Sequence, residues 1–222
     1  MSQNKRLIVG ISGASGVIYG VRLLEILKSL KIESHLVMTK AAELTLGHET
    51  GMHIRDVEAL AHTRYQPTDI GAAIASGSFK TLGMIVAPCS VRSMSEIATG
   101  VTSGLLTRAA DVVLKERRKL VLMVRETPLH TGHLRTMTHL SEIGAIIAPS
   151  MPAFYAEPQS IDDIVTQSVA RLLDLFDIDA GQTRRWGEDL KGGKRRPIKP
   201  GAVKSGTPKA IKPAKPGKPT KH

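Results

Sequence analysis

The sequence predicts an α/β fold in which a parallel sheet carries helices on both faces. Three observations support it. Apolar segments of strand type alternate with segments of helical periodicity through most of the chain. Several strand segments are apolar at consecutive positions, as expected for strands that are covered on both faces. Polar and glycine residues follow the strands, and in such sheets ligands bind at the carboxyl ends of the strands.

The first predicted unit is a strand, a glycine-rich turn and a helix. Residues 6–9 form an apolar run, and residues 17–30 carry apolar side chains at helical spacing. Gly10, Gly13 and Gly16 have the spacing G-x-x-G-x-x-G, not the dinucleotide fingerprint G-x-G-x-x-G. No clear acidic residue ends the second strand to hold a ribose hydroxyl, so FMN is favoured over NAD. A tight turn without a ligand would show the same spacing, and the motif alone leaves both interpretations open.

The later segments continue the alternation. Apolar runs predict strands at residues 33–38, 82–87, 120–124 and 145–148, the second of these closed by Pro88. Helical periodicity predicts helices at residues 41–50, 90–99, 104–116, 134–143 and 161–176. Gly100 is placed to separate two helices, and Ser160 to cap the last one. Residues 52–61 are ambiguous between strand and helix, and residues 65–79 predict a loop with room for a short helix.

The excess positive charge lies in one segment at the carboxyl terminus. The formal net charge is +11, and residues 191–222 hold eleven of the 31 Lys and Arg residues and none of the 20 acidic ones. The rest of the chain is therefore balanced, which argues against a basic nucleic-acid-binding domain.

The composition divides the chain in two. We predict one folded domain at residues 1–190 and a disordered tail at residues 191–222, because the Lys, Pro and Gly of the tail cannot bury enough apolar surface. The tail is either a weak electrostatic tether to RNA, an anionic surface or an acidic partner, or a solvated appendage outside the chemistry. We favour the appendage.

Composition also bears on the compartment and on metals. The single cysteine, Cys89, excludes an internal disulfide, suits a reducing cytoplasm and is expected to be buried. No apolar run is long enough to span a membrane, and no signal peptide is evident. His130 and His133 have the spacing of metal ligands, but no credible set of ligands accompanies them. No metal site is predicted.

Three further segments make the chain similar to a known family. They are Ala-Pro-Cys-Ser-Val-Arg-Ser at residues 87–93, the helix and strand at residues 105–128, and Pro-Ala-Phe-Tyr with its following Pro-Gln-Ser-Ile-Asp-Asp at residues 152–163. With the glycine-rich turn at residues 10–16 they closely resemble the UbiX-type flavin prenyltransferases, in the same order and spacing. The resemblance covers residues 6–190 and leaves out the tail.

The resemblance implies a fold and an activity. The fold is a flavodoxin-like three-layer α/β/α sandwich, and the assembly is a dodecamer with active sites at subunit junctions. The activity is metal-independent transfer of a dimethylallyl group, usually from dimethylallyl monophosphate, to N5 and C6 of FMN. The product, prenylated FMN, is the cofactor of UbiD-type decarboxylases, which would receive it.

The resemblance also assigns roles to residues. Ser15, Glu49 and Glu126 match the catalytic positions, where a carboxylate would accept the proton that ring closure at C6 releases. The FMN-binding positions are matched by Gly13, Ala14, Ser15, Thr39, Ser90, Val91, Arg92, Ser93 and Arg125. The donor-phosphate positions are matched by Arg108, Lys115, Tyr155 and Arg171, which would neutralise a leaving phosphate without a metal.

Simpler interpretations of the same charged residues stay open on the sequence alone. Arg108 and Lys115 are seven residues apart on one helix face, where Asp111 and Glu116 would pair with them. By the same reasoning, Glu49 would be a surface charge at a helix end and Arg171 an exposed helix charge. Glu126 would form a salt bridge to Arg125 or Arg108.

Two other functions compete with prenyl transfer. An FMN-dependent oxidative decarboxylase of the phosphopantothenoylcysteine type typically has a P-A-S-A-N-T-like motif and a catalytic His, but Ala-Pro-Cys-Ser-Val-Arg stands in the corresponding place. A non-catalytic flavin-binding protein would be favoured by the loss of Glu49, Lys115, Glu126 or Tyr155, and all four are present.

Overall fold

A six-stranded parallel sheet forms the centre of the computed structural model, which describes residues 5–181 and 184–185. The strands are β1 (Arg6–Ile11), β2 (Glu33–Met38), β3 (Thr63–Tyr65), β4 (Gly83–Cys89), β5 (Lys119–Val124) and β6 (Ala145–Ile147). They lie in the order β3-β2-β1-β4-β5-β6. Without the short edge strand β3, the remaining five follow the flavodoxin order. The predicted α/β fold with a parallel sheet is confirmed.

Helices cover both faces of the sheet. They are α1 (Val17–Ser29), α2 (Lys40–Thr50), α3 (Ile54–Glu58), α4 (Val91–Thr99), α5 (Leu105–Lys115), α6 (Thr131–Glu142) and α7 (Ile161–Asp174). Buried side chains of α1, α2, α3 and α7 pack in one apolar cluster, and those of α4, α5 and α6 pack in a second. The sheet separates the two clusters, which gives the three layers. The predicted tail at residues 191–222 lies outside the described residues.

Strand β4 and helix α6 differ from their predicted boundaries, and one strand was not predicted. Strand β4 does not stop before Pro88 but runs to Cys89, because its register against β5 shifts between Val86 and Cys89. An irregularity of this kind tolerates a proline, which has no N–H to donate. Helix α6 starts at Thr131, because the imidazole of His130 accepts hydrogen bonds from the first-turn N–H groups. The edge strand β3 falls where the sequence predicts no strand.

The glycine-rich turn packs tightly against the start of α2. A Cβ atom placed on Gly13 would lie 2.3 Å from the Cβ of Ala41, so only glycine fits there without movement. Gly16, which immediately precedes α1, has a φ of 94°, a left-handed conformation that other residues rarely adopt. The absence of a side chain at Gly13 therefore lets the turn lie close to α2, and the conformation of Gly16 lets the chain enter α1.

Replacement of Gly13 by alanine is expected to destabilise the fold by about 1–3 kcal/mol, because the new methyl group must displace Ala41 or the turn itself. Gly47 is the matched control, since it lies within α2 and a Cβ there would meet no atom within 4 Å. Gly47→Ala should instead stabilise the protein by about 0.5–1 kcal/mol, the usual gain in helix propensity. Urea unfolding of both variants measures the two free energies, and equal effects would contradict the tight contact.

Candidate active site

Backbone hydrogen bonds link neighbouring strands of the sheet at their carboxyl ends. Thr39, at the start of α2, donates its N–H to the carbonyl of Ile11 at 3.0 Å. Arg125, which follows β5, donates its N–H to the carbonyl of Cys89 at 3.1 Å. These bonds hold the segments after β1, β2, β4 and β5 at one edge of the sheet. This edge includes the point where β1 and β4 are neighbours. The connections that follow these two strands leave in opposite directions, and in sheets of this kind ligands bind at such a point.

Glu49 belongs to the last turn of α2 but its carboxylate lies at the start of α1. One oxygen accepts hydrogen bonds from the N–H groups of Gly16 at 2.8 Å and Val17 at 3.1 Å. The hydroxyl of Ser15 is a further hydrogen-bonding partner of the carboxylate, and Arg125 is close enough to act on it electrostatically. Glu49 is exposed, but its carboxylate is not an unpartnered charge at an unfavourable helix end. It satisfies the positive end of the neighbouring helix.

The same contacts set the charge of Glu49. Partial burial favours the neutral acid, but the hydrogen bonds from Ser15, Gly16 and Val17 and the positive charge of Arg125 outweigh it, so the pKa lies below the ordinary 4.5. The group is a carboxylate at neutral pH and is able to accept a proton. The N–H groups of Gly16 and Val17 already donate to this carboxylate, so they are not free to bind a phosphate at the start of α1.

A pH dependence of stability follows from this shift. Because the pKa of Glu49 is lower in the folded state, its contribution is complete above the unfolded pKa and is lost as the pH falls through the folded pKa. The difference in free energy of unfolding between the wild type and Glu49→Gln should be constant from about pH 7 to pH 5 and shrink in more acidic solution. Urea titrations at a series of pH values measure it, and a difference that grows on acidification would contradict the assignment.

The start of α4 offers a second set of donors at the same edge. Ser90 caps the helix, and its hydroxyl accepts from the N–H of Ser93 at 3.2 Å. The N–H groups of Val91 and Arg92 meet no acceptor among the described residues, so they are available to an anion. The side chain of Arg92 is 83% exposed and pairs with Glu96 at 2.9 Å. The backbone of Arg92 therefore lies at the edge of the sheet, and its guanidinium group lies in solvent beside Glu96.

Arg125 and Glu126 complete this edge. Both are exposed, and the guanidinium of Arg125 makes no hydrogen bond within the described part of the chain. Glu126 accepts a hydrogen bond from the N–H of its neighbour Thr127 at 2.9 Å. Among the described residues Glu126 forms no salt bridge to Arg125 or Arg108. An unpaired guanidinium beside open backbone amides is a donor set that fits an anionic mononucleotide such as FMN.

Comparisons with known proteins agree with this geometry. A family model described as Flavoprotein matches residues 1–173. The flavin prenyltransferase UbiX of Escherichia coli strain K12 is 62% identical over 175 residues, which are 78% of this chain and 93% of that protein. The chain belongs to the UbiX family of flavin prenyltransferases. The predicted family resemblance is confirmed.

Solved structures of UbiX proteins share the fold. The crystal structure of AnUbiX in complex with FMN and dimethylallyl pyrophosphate has a TM-score of 0.82 and 47% identity, covering 83% of this chain and 98% of that one. A dodecameric FMN-dependent UbiX-like decarboxylase from Escherichia coli O157:H7 has a TM-score of 0.80 and 51% identity, covering 82% and 98%.

In this UbiX-family chain the residues predicted to bind the donor phosphate do not converge within one protomer. Helix α5 begins at the carboxyl edge of the sheet, where Leu105 donates its N–H to Pro67. It ends at the amino edge, close to Gly77 in the segment that leads into β4. A Cβ atom added to Gly77 would lie 3.1 Å from the Nζ of Lys115. Arg108 and Lys115 pair with their own neighbours, Asp111 at 2.8 Å and Glu116 at 2.7 Å.

Arg171 belongs to the other face of the sheet, and Tyr155 lies in the segment that leads into the same helix. Tyr155 is half-buried in a 3₁₀ turn (Phe154–Ala156) before α7. Arg171 lies in the last turn of α7, where it pairs with Asp174 and is half exposed. Because α7 packs with α1 while α5 packs on the opposite face, Arg171 and Lys115 are separated by the sheet.

Cys89 and the two histidines take no part in a reactive cluster. Burial raises the pKa of the Cys89 thiol to about 12, so it is not a nucleophile. The rings of His130 and His133 stack with their centroids 3.6 Å apart. The described residues contain no group of three or more His, Cys, Asp or Glu that could hold a metal.

None of the described helices combines the length and the apolar character that crossing a bilayer requires.

Sequence reasoning missed one residue of this edge. Ser12 is fully buried, and its hydroxyl connects the segment after β1 to the segment after β4. Ser12 directly follows an apolar strand and lies inside the glycine-rich turn, so the sequence could have placed it near the site. The role of its hydroxyl depends on β1 and β4 being neighbours, which the local sequence does not show.

Proposed function

We propose that this protein is a flavin prenyltransferase that joins a dimethylallyl group from dimethylallyl monophosphate to N5 and C6 of reduced FMN. The observation that carries the proposal is the alignment of the chain with almost the whole of the E. coli flavin prenyltransferase UbiX. The geometry supports it, because a carboxylate, a cation and open amides lie together at the edge of the sheet where a nucleotide is expected.

The residues proposed to hold FMN belong to four segments of that edge. The backbone of Gly13, Ala14 and Ser15 supplies close approach after β1, and the Thr39 hydroxyl supplies a polar group after β2. The amides at the start of α4 and the guanidinium of Arg125 supply donors for the flavin and its phosphate. The α4 residues in this proposal are Ser90, Val91, Arg92 and Ser93.

The proton chemistry is assigned to the carboxylates. Closure of the new ring releases a proton at C6, and the carboxylate of Glu49, charged at neutral pH, is suited to accept it with the Ser15 hydroxyl as a relay. Glu126 is exposed at the same edge and would serve the second proton transfer, either at the ring or at the departing phosphate. Bound FMN supplies the nucleophilic flavin ring.

The donor phosphate is assigned to Arg108, Lys115, Tyr155 and Arg171 from more than one protomer. Lys115 and Arg171 are on opposite faces of the sheet, so one phosphate reaches both only at a junction of subunits. Exposed apolar side chains near Tyr155 suit such a junction, since Met151, Phe154 and Ile161 are 73%, 73% and 80% exposed. We propose a homododecamer, the assembly of the UbiX-like structure from E. coli O157:H7.

The recipient of the product is proposed to be a UbiD-type decarboxylase in the cytoplasm. The family resemblance supports the recipient, and the single reduced cysteine suits that compartment. Nucleic acid is not proposed as a partner, because the excess basic charge is confined to residues 191–222.

One incubation tests the activity. The purified protein is mixed anaerobically with reduced FMN and dimethylallyl monophosphate, and the flavin is extracted and weighed by mass spectrometry. A flavin heavier by one dimethylallyl group is the expected result. Unmodified flavin, with FMN binding established and the diphosphate donor also tried, would favour an FMN-dependent decarboxylase or a flavin carrier instead.

A further inference from the structure

The hydroxyl of Ser12 bridges the two central loops of the site. It donates to the carbonyl of Pro88 at 3.0 Å and accepts from the N–H of Ser90 at 2.7 Å. The N–H of Ser12 also donates to the Pro88 carbonyl, at 3.2 Å. One side chain at the end of β1 therefore fixes the path of the chain between β4 and α4.

The bridge continues on both sides into segments proposed to bind FMN. The carbonyl of Ser12 accepts from the N–H of Ala14 at 2.8 Å, which shapes the glycine-rich turn. Ser90, held by Ser12, caps α4 through its own hydroxyl and thereby orients the open amides of Val91 and Arg92. Of the bonds between the turn and this loop, the one that holds the N–H of Ser90 depends on the Ser12 hydroxyl alone.

Burial makes this bond costly to lose. Ser12 is 0% exposed, so no water replaces its hydroxyl without a rearrangement of the loops. After removal of the hydroxyl the Pro88 carbonyl keeps the Ser12 N–H as a donor, but the Ser90 N–H has no other acceptor among the described residues. The loop that carries Ser90 is expected to shift until that N–H finds one.

We infer that Ser12 is a positioning residue for FMN, setting the separation of the glycine-rich turn from the start of α4. This inference rests on the proposed function. Ser12 does not itself contact the reacting atoms and acts through Ser90. Its loss should weaken FMN binding and raise the KM for FMN more than it lowers kcat.

Ser34 provides a matched control at the opposite edge of the sheet. It is 1% exposed, and its hydroxyl accepts from the N–H of His62 at 3.2 Å, so Ser34→Ala removes a comparable buried bond away from the site. Ser12→Ala should bind FMN about tenfold more weakly than the wild type, and Ser34→Ala should bind it as the wild type does. Quenching of flavin fluorescence gives the dissociation constants, and thermal unfolding gives the stability of each variant.

The outcomes separate the inference from the proposed function. A wild-type protein that does not bind FMN would contradict the proposed function, whereas equal FMN affinities for the wild type and Ser12→Ala would overturn the role of Ser12 alone. Equal losses in both alanine variants would assign Ser12 a structural role and also overturn it. If Ser12→Ala does not fold, Ser12→Thr and Ser12→Val decide, because the two share a shape and differ in the hydroxyl. Tighter binding by the threonine variant supports the inference, and equal binding contradicts it.

Discussion

Glu49→Gln should bind FMN and lose turnover by about 10²–10⁴-fold, the range expected for removal of a general base. The amide is nearly the same size as the carboxylate and its oxygen is still able to accept from Gly16 and Val17, so the turn and α1 should stay in place. It is not able to take the proton that ring closure releases. The reaction should therefore stop at closure of the new ring, with FMN bound.

Glu43→Gln is the control for this variant, because Glu43 lies in the first turn of the same helix and lines a small cavity with residues of β2 and α3. It should turn over at the wild-type rate. Single-turnover assays with reduced FMN and dimethylallyl monophosphate measure both variants. The readout is the absorption spectrum and chromatographic retention of the extracted flavin, because an open N5 adduct and the ring-closed product have the same mass. Normal product formation by Glu49→Gln would remove Glu49 from the mechanism, while loss of FMN binding would make its role structural.

Lys115→Ala should lower turnover by about 10²–10³-fold, the usual cost of removing one group that stabilises a developing anion. Lys115 lies at the amino edge of the sheet and Glu49 at the carboxyl edge, and α5 alone spans about 16 Å between the edges. The two residues therefore act on one reaction only if they come from different protomers. Lys80→Ala is the matched control, since Lys80 is also close to Glu116 but lies outside the proposed phosphate site.

Mixed oligomers test the same arrangement directly. Coexpression of Lys115→Ala with Glu49→Gln should restore about a quarter of the wild-type activity. Each site would take Glu49 from one protomer and Lys115 from another, and with random mixing both residues are native in about a quarter of the sites. Coexpression of Arg125→Ala with Glu49→Gln should restore none, since those two residues lie together within one protomer. No recovery in the first mixture would contradict a site built across protomers.

Most of the fold could be predicted from local patterns. The β1–turn–α1 unit and β2 follow directly from apolar runs and helical spacing, as does the alternation that makes the sheet parallel. Strand β3 could not, because its sequence Thr-Arg-Tyr is short and mostly polar, and it is a strand through its pairing with β2. The start of α6 was missed because histidine is an unusual cap.

The site was predictable in its residue types more than in its arrangement. The glycine-rich turn, Ser90 and Arg125 could be placed at one edge because each follows a parallel strand. The cap that Glu49 provides for α1 depends on how α2 packs on α1, and the bridge made by Ser12 depends on β1 lying beside β4. Such contacts between distant segments leave no periodic signal in the sequence.

The burial of Cys89 has a practical consequence for experiments on the assembly. A thiol with no exposed surface and a pKa of about 12 is almost wholly unreactive towards maleimides at neutral pH. A cysteine introduced on the surface would therefore be the single reactive thiol of a chain that keeps its native sequence elsewhere. Fluorophores or spin labels could be attached at chosen positions, and distances between neighbouring protomers could be measured in solution.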